Sequence, residues 1–255
     1  MKALSLYEDK ESFIHKVDPI SKIFYIITMI AVTLIIPTKT SAAICMFASI
    51  VCLIIGKVFK KVIPIINFSL IILLSIIIIQ GLFNSSNKTP LFNLGNVTFY
   101  KEGLMYALLI CLRVINILSA FAILVLTTKP SDLIEALVRK GLSAKIGYVL
   151  SSVLQIIPQM TSTMETIMDA QRSRGMETEG KLSTRIKAFF PLIGPVVMNS
   201  LIATRERSMA LEVRGFNASN KKSFLNDQKY GNFNTVIRIV LFAAIILSII
   251  WRVVL

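Results

Sequence analysis

Charge is scarce in this chain: of its 255 residues only 16% are Asp, Glu, Lys or Arg, whereas 55% are hydrophobic. A soluble domain carries about 25% charged residues, so the composition excludes one and points to an integral membrane protein. Histidine and cysteine are nearly absent as well. The single histidine, His15, lies in a polar N-terminal lead, and the three cysteines, Cys45, Cys52 and Cys111, all fall inside apolar runs. Free cysteine in such runs behaves as a small buried hydrophobe. These absences exclude a disulfide framework, an HExxH site and a Cys/His metal cluster. A phosphate-cradling GxxxxGK[ST] loop is also missing, so nucleotide binding would have to belong to another protein. No cofactor and no metal are expected.

What is present is basic and apolar. The net charge is +14, but no basic region interleaved with aromatics accompanies it, so nucleic acid is not an expected partner. Membrane proteins gather Lys and Arg on their cytoplasmic side, which accounts for the charge. The lead "YEDKESFIHKVDPISK" is followed by no small-residue cleavage site, and the N-terminus is expected to stay on the mature protein.

A hydrocarbon core about 30 Å thick needs about 20 mostly apolar helical residues. Five runs serve as spans: 22–37, which is short, then 41–56, 62–83, 103–127 and 235–255. Pro64 lies near the start of the third, where a first-turn proline loses no needed N–H, and "NSSNKTPLFNLGN" after it reads as a turn-rich loop. The basic "GKVFKK" and the long basic stretch after Lys129 belong in the cytoplasm, which puts the N-terminus inside and the C-terminus outside. The expected fold is therefore an all-α integral membrane protein of about five transmembrane helices, with long amphipathic cytoplasmic helices between spans four and five. Its expected divisions are a four-span region (1–128), a cytoplasmic helical region (129–230) and a C-terminal span (231–255), with the lipid bilayer as first partner.

Within 144–174 apolar residues recur at Ile146, Val149, Leu150, Val153, Leu154, Ile157, Met160, Met164, Ile167 and Met168, the three-four spacing of one helical face. A second helix over 182–214 carries a comparable stripe, although Pro191, Gly194 and Pro195 must kink or break it. A shorter helix starts at "PSDLIEAL", with Ser131 as N-cap and Glu135 near the first turn.

The two long helices end alike, in "AQRSRG" and "ALEVRG". Glycine fits the left-handed position that closes many helices, and arginine in the last turn suits the macrodipole, so either ending alone is satisfied by capping. Two such endings, each with an alanine four positions before the arginine, suggest more. A helix tip would project a planar guanidinium toward carboxylates or carbonyls of a cytoplasmic partner, contacts that its fork makes in pairs.

With "DPISK" (18–22), "LTTKPSDLIEAL" (126–137), "IPQM" (157–160), "DAQRSRG" (169–175) and "MALEVRGF" (209–216) in this order, nearly the whole chain resembles the transmembrane T component of energy-coupling factor (ECF) transporters, which includes the cobalt-transport membrane subunits. The resemblance implies that Ser173-Arg174-Gly175 and Val213-Arg214-Gly215 end two coupling helices, each arginine docking in a groove of one of two ABC ATPase subunits, identical or different. Ala170, Arg172, Ala210 and Glu212 would shape or support the tips. It also implies a small substrate-binding S component gripped by apolar surface, for which the adaptable Met160, Met164 and Met168 are suited. Packing between the two helices would use the same stripe, and spacing does not separate the two roles.

The implied function is a non-enzymatic coupling subunit of an importer for a vitamin or a transition-metal ion: ATP-driven closure of the partners moves the helix ends and topples the S component. Two alternatives come from other classes. A self-contained secondary transporter needs inverted repeats and a midplane polar site, whereas the arginine endings repeat in one direction outside the spans. An intramembrane hydrolase would have Arg113, with Asn116 beside it in "CLRVIN", as its main candidate site; with no acidic residue inside a span, a structural arginine is the preferred reading.

Overall fold

Three of the helices start where a capping side chain precedes an apolar run. The computed structural model describes residues 7, 8, 10, 12–84, 89–94, 97–176, 182–218, 224 and 232–254. Among them lie α1 (Pro19–Ile35), α2 (Lys39–Ile55), α3 (Phe59–Phe83), α4 (Lys101–Thr127), α5 (Pro130–Arg139), α6 (Ala144–Ser173), α7 (Leu182–Val213) and α8 (Asn232–Val254). Asp18 caps α1, its carboxylate accepting the Ile20 N–H at 3.2 Å with Pro19 in the first turn. Thr38 and Ser143 accept in the same way from Ser41 and Ile146 to start α2 and α6.

Several boundaries differ from the sequence expectation. The segment between α3 and α4 contains an antiparallel pair, β1 (Pro90–Leu94) and β2 (Val97–Tyr100), with Asn93 opposite Thr98 and a register irregularity between Pro90 and Phe92. It is therefore not wholly a turn-rich loop. Helix α3 begins at Phe59, so Pro64 is its sixth residue and lies beyond the first turn; its missing N–H leaves the Lys60 carbonyl without its helical donor. In α5 the capping position belongs to Lys129, whose carbonyl accepts from Asp132 and Leu133 at 3.0 and 3.1 Å. Ser131 is the second helical residue, and Asp132 rather than Glu135 is the acid of the first turn. Pro130 holds the first position, where its fixed φ favours entry.

The chain divides into two compact units, one holding 5–137 with 228–255 and the other centred on 138–227. In the first, α4 packs against α1, α2 and α3, and α8 lies along α1. The core gathers Leu53, Val58, Val62, Ala122, Ile123 and Leu126. Beyond it the surface is apolar: Phe68 on α3 and Leu247 on α8 are 74% and 70% exposed, as suits helices whose solvent is lipid. Helices α3, α4 and α8 are long and apolar enough to cross a membrane. The 17 residues of α1 and of α2 reach about 26 Å, the lower limit for a span.

Polar links fix this bundle. The Ser49 hydroxyl donates to Asn116 Oδ1 at 2.7 Å and meets the Tyr25 hydroxyl at 2.9 Å, while Asn116 donates to the Met29 carbonyl at 3.4 Å. Buried Lys22 donates from Nζ to the Thr127 carbonyl at 2.9 Å and to Thr128 Oγ1 at 3.1 Å, holding the start of α1 against the end of α4. Arg238 of α8 pairs with Asp18 and donates to Ser21 Oγ at 3.0 Å. Accordingly α1 begins, α4 ends and α8 begins at one end of the bundle. Before α1, the Glu8 N–H donates to the Leu126 carbonyl at 3.1 Å, and the Lys10 and Lys61 ammoniums hold the Glu8 carboxyl below its ordinary value.

Candidate functional site

In the second unit α6 and α7 run antiparallel. Tyr148, near the start of α6, meets Phe216, just past the end of α7, with ring centroids 5.4 Å apart. Midway, Arg207 donates from its guanidinium to Gln159 Oε1. That bond borders a cleft of about 90 Å³ between the helices, lined also by Met160, Thr163, Ser200, Ala203 and Thr204. Small side chains on α7 let the helices approach there. Helix α7 runs unbroken through Pro191 and Pro195, with Leu192 and Val196 of this stretch buried. The two prolines are one helical turn apart, so the bonds they forfeit lie on one side and the other sides keep theirs.

Both long helices stop in the same hydrogen-bonded closure. At α6 the Gly175 N–H reaches the Arg172 carbonyl at 2.9 Å and the Met176 N–H the Gln171 carbonyl at 3.1 Å. At α7 the Gly215 N–H reaches the Glu212 carbonyl at 2.9 Å and the Phe216 N–H the Leu211 carbonyl at 3.0 Å. These are paired Schellman closures, with glycine in the left-handed position at φ 86° and 70°. A methyl group at either glycine would meet nothing within 4 Å, so conformation rather than space calls for glycine.

This closure leaves Arg174 and Arg214 as the half-helical residues at the two tips. Both are exposed, as are Ser173, Gly175, Val213 and Gly215, and neither arginine has an ion-pair partner among the described residues. Arg172 differs, lying 3.7 Å from Asp169 in an ion pair one turn back. Ser173 bonds to the Asp169 carbonyl at 3.0 Å. The Ala210 carbonyl accepts the Arg214 N–H at 3.1 Å, and Ala170 and Glu212 are exposed beside their tips. Since Phe216 lies at the Tyr148 end of α6, the Arg214 tip is separated from Arg174 by roughly 40 Å of helix. The two cations occupy opposite ends of the helical pair.

The apolar surface of this unit is broader than the methionine stripe. Met160 lines the interhelical cleft, and Met164 and Met168 are half-buried. Val149 and Val153 on α6 and Phe190, Met198 and Leu201 on α7 are about half exposed or more. Sequence periodicity places Val149 and Val153 on this face. In the membrane unit the Nε of Arg113 is buried without a hydrogen-bond partner among the described residues. Asn116 is committed to Ser49 and Met29, not to Arg113. Arg238, which sequence reading passed over, is the cation that pairs with Asp18. The only signal for it was a lone arginine near the start of the last span, far along the chain from Asp18.

Comparison with known proteins places residues 10–224 on the family model described as "CbiQ: Cobalt transport protein". An energy-coupling factor transporter transmembrane protein EcfT of Staphylococcus aureus is 27% identical over 239 residues, which is 88% of this chain and 87% of the relative. The EcfT protein of Brevibacillus brevis is 26% identical over 264 residues, covering 98% of each. That of Listeria innocua is 30% identical over 229 residues, covering 84% of each.

Proposed function

The chain belongs to the CbiQ cobalt transport protein family and is a T-component transmembrane protein of the energy-coupling factor type; from that premise we propose that it couples two ABC ATPase subunits to a substrate-binding S component. The observation that carries this reading is the pair of exposed guanidiniums, Arg174 and Arg214, without an ion-pair partner among the described residues, on equivalent closures at opposite ends of one antiparallel pair. Each tip serves one ATPase subunit, and the separation matches two docking points rather than one. Closure of the ATPases on ATP draws on the tips, and α6 and α7 carry that motion to an S component held on their apolar surface by Met160, Met164, Met168 and the exposed residues around them. The cargo is a vitamin or a transition-metal ion, selected by the S component.

In this reading the orientation is N-terminus inside, C-terminus outside, with α6 and α7 cytoplasmic. The chain is non-catalytic. The polar cluster in the membrane supports this, because Ser49 donates to an amide oxygen and faces a phenol, and neither activates a hydroxyl as a general base would. Reconstitution in liposomes tests the function. Substrate uptake should require the chain together with both ATPase subunits, an S component and ATP, and uptake by the chain alone would sink the proposal in favour of a secondary transporter.

A further inference from the structure

Two cavities meet at the end of the membrane unit where α1 begins and α4 ends, and they share Val17 and Lys22. The first, about 260 Å³, is polar and receives Lys16, Lys22 and Lys129 from three separate segments, with Asp132 as the one carboxylate among the described residues lining it. Lys22 is 4% exposed and is held by the Thr127 carbonyl and Thr128 Oγ1. Those bonds use two of its three donors. Lys129 lies 5.3 Å over the ring of Tyr7, which also lines the cavity. Among the described residues that line it, three ammoniums face one carboxylate, a balance that attracts anions.

The second cavity, about 240 Å³, presents only apolar surface and is bordered by Phe13, Ile55, Ile123 and Ile237. A cationic basin beside an apolar slot, at the level where apolar helices end and the headgroup region begins, has the polarity of one phospholipid. We propose that an anionic phospholipid seats here, its headgroup phosphate among Lys16, Lys22 and Lys129 and part of an acyl chain in the apolar slot. Free phosphate would use the basin alone, and the slot is what favours a lipid. Asp132 opposes a doubly charged group and so favours a phosphodiester. Bound there, the lipid bridges the lead, α1 and the α4–α5 corner, adding to the ties that Lys22, the Glu8–Leu126 bond and the Lys129–Tyr7 contact already make. This site does not depend on the coupling role proposed for Arg174 and Arg214.

Native mass spectrometry of the full chain in detergent, with added dioleoyl-phosphatidylglycerol or dioleoyl-phosphatidylcholine, provides the test. One phosphatidylglycerol should be retained in preference to phosphatidylcholine. Each lysine near an anionic headgroup contributes on the order of 1 kcal/mol, so Lys16→Ala with Lys129→Ala should weaken retention at least about tenfold. Both lysines are exposed, and circular dichroism checks that the variant remains folded. Lys39→Ala with Lys101→Ala, at the opposite end of the bundle, should leave retention unchanged. Equal retention of the two lipids, undiminished retention by the first double variant, or capture of inorganic phosphate with no lipid retained would each overturn the proposal.

Discussion

Arg172 and Arg174 stand two positions apart and do different work. Arg172 is tied to Asp169 within its own helix, whereas Arg174 sits where the helix has stopped and its guanidinium faces outward. That distinction was partly legible, because Arg-Gly spells a helix closure through glycine's access to the left-handed region. The partner of Asp18 was not legible, because Arg238 lies 220 positions away and only the fold brings them together. Capping and docking can be separated by mutation. Gly175→Ala or Gly215→Ala forces a side chain into left-handed backbone at about 1–2 kcal/mol. Amide exchange over the final turn of the affected helix should then accelerate about tenfold. Arg174→Ala leaves the closure bonds intact and should not change that exchange. If it frays the turn as the glycine substitutions do, the arginine is a capping residue.

Among the elements, the long apolar runs and the three-four stripes were readable because burial in lipid or against a neighbouring helix imposes those periods directly. The misreadings cluster at boundaries, where a few residues compete. "PLFNL" and "VTFY" flank Gly95-Asn96, a two-residue link of the hairpin kind, but Asn, Ser and Pro before it gave the stronger turn signal. Ser131 looked like a cap until Pro130, one position earlier, took the first helical place. The link between α1 and α8 gives a test at this scale. Asp18→Asn keeps the cap on α1 but leaves Arg238 without its counter-charge, which should lower stability by about 3 kcal/mol, visible as an earlier thermal transition in detergent. Adding Arg238→Met removes the stranded cation and should restore much of that loss. A transition unchanged in Asp18→Asn would show that the pair contributes only geometry.

For the whole molecule the informative arrangement is that of α6 and α7. Their antiparallel course sends two equivalent endings in opposite directions, so the repeated spelling in sequence becomes two separated tips in space. Helical periodicity gives the faces of helices and not their relative direction, so the opposite placement of the two tips is visible only in the fold. The Tyr148–Phe216 contact and the Gln159–Arg207 bond supply that direction. A desolvated arginine contact costs about 2–5 kcal/mol when truncated, enough for one tip to hold one partner. The most direct measurement is copurification of the two ATPase subunits with the membrane-inserted chain carrying Arg174→Ala and Arg214→Ala. Each single variant should weaken capture, and the double variant should reach the membrane at normal levels yet recover neither ATPase subunit and support no uptake. An intact, fully active complex from the double variant would contradict the coupling role of the two tips.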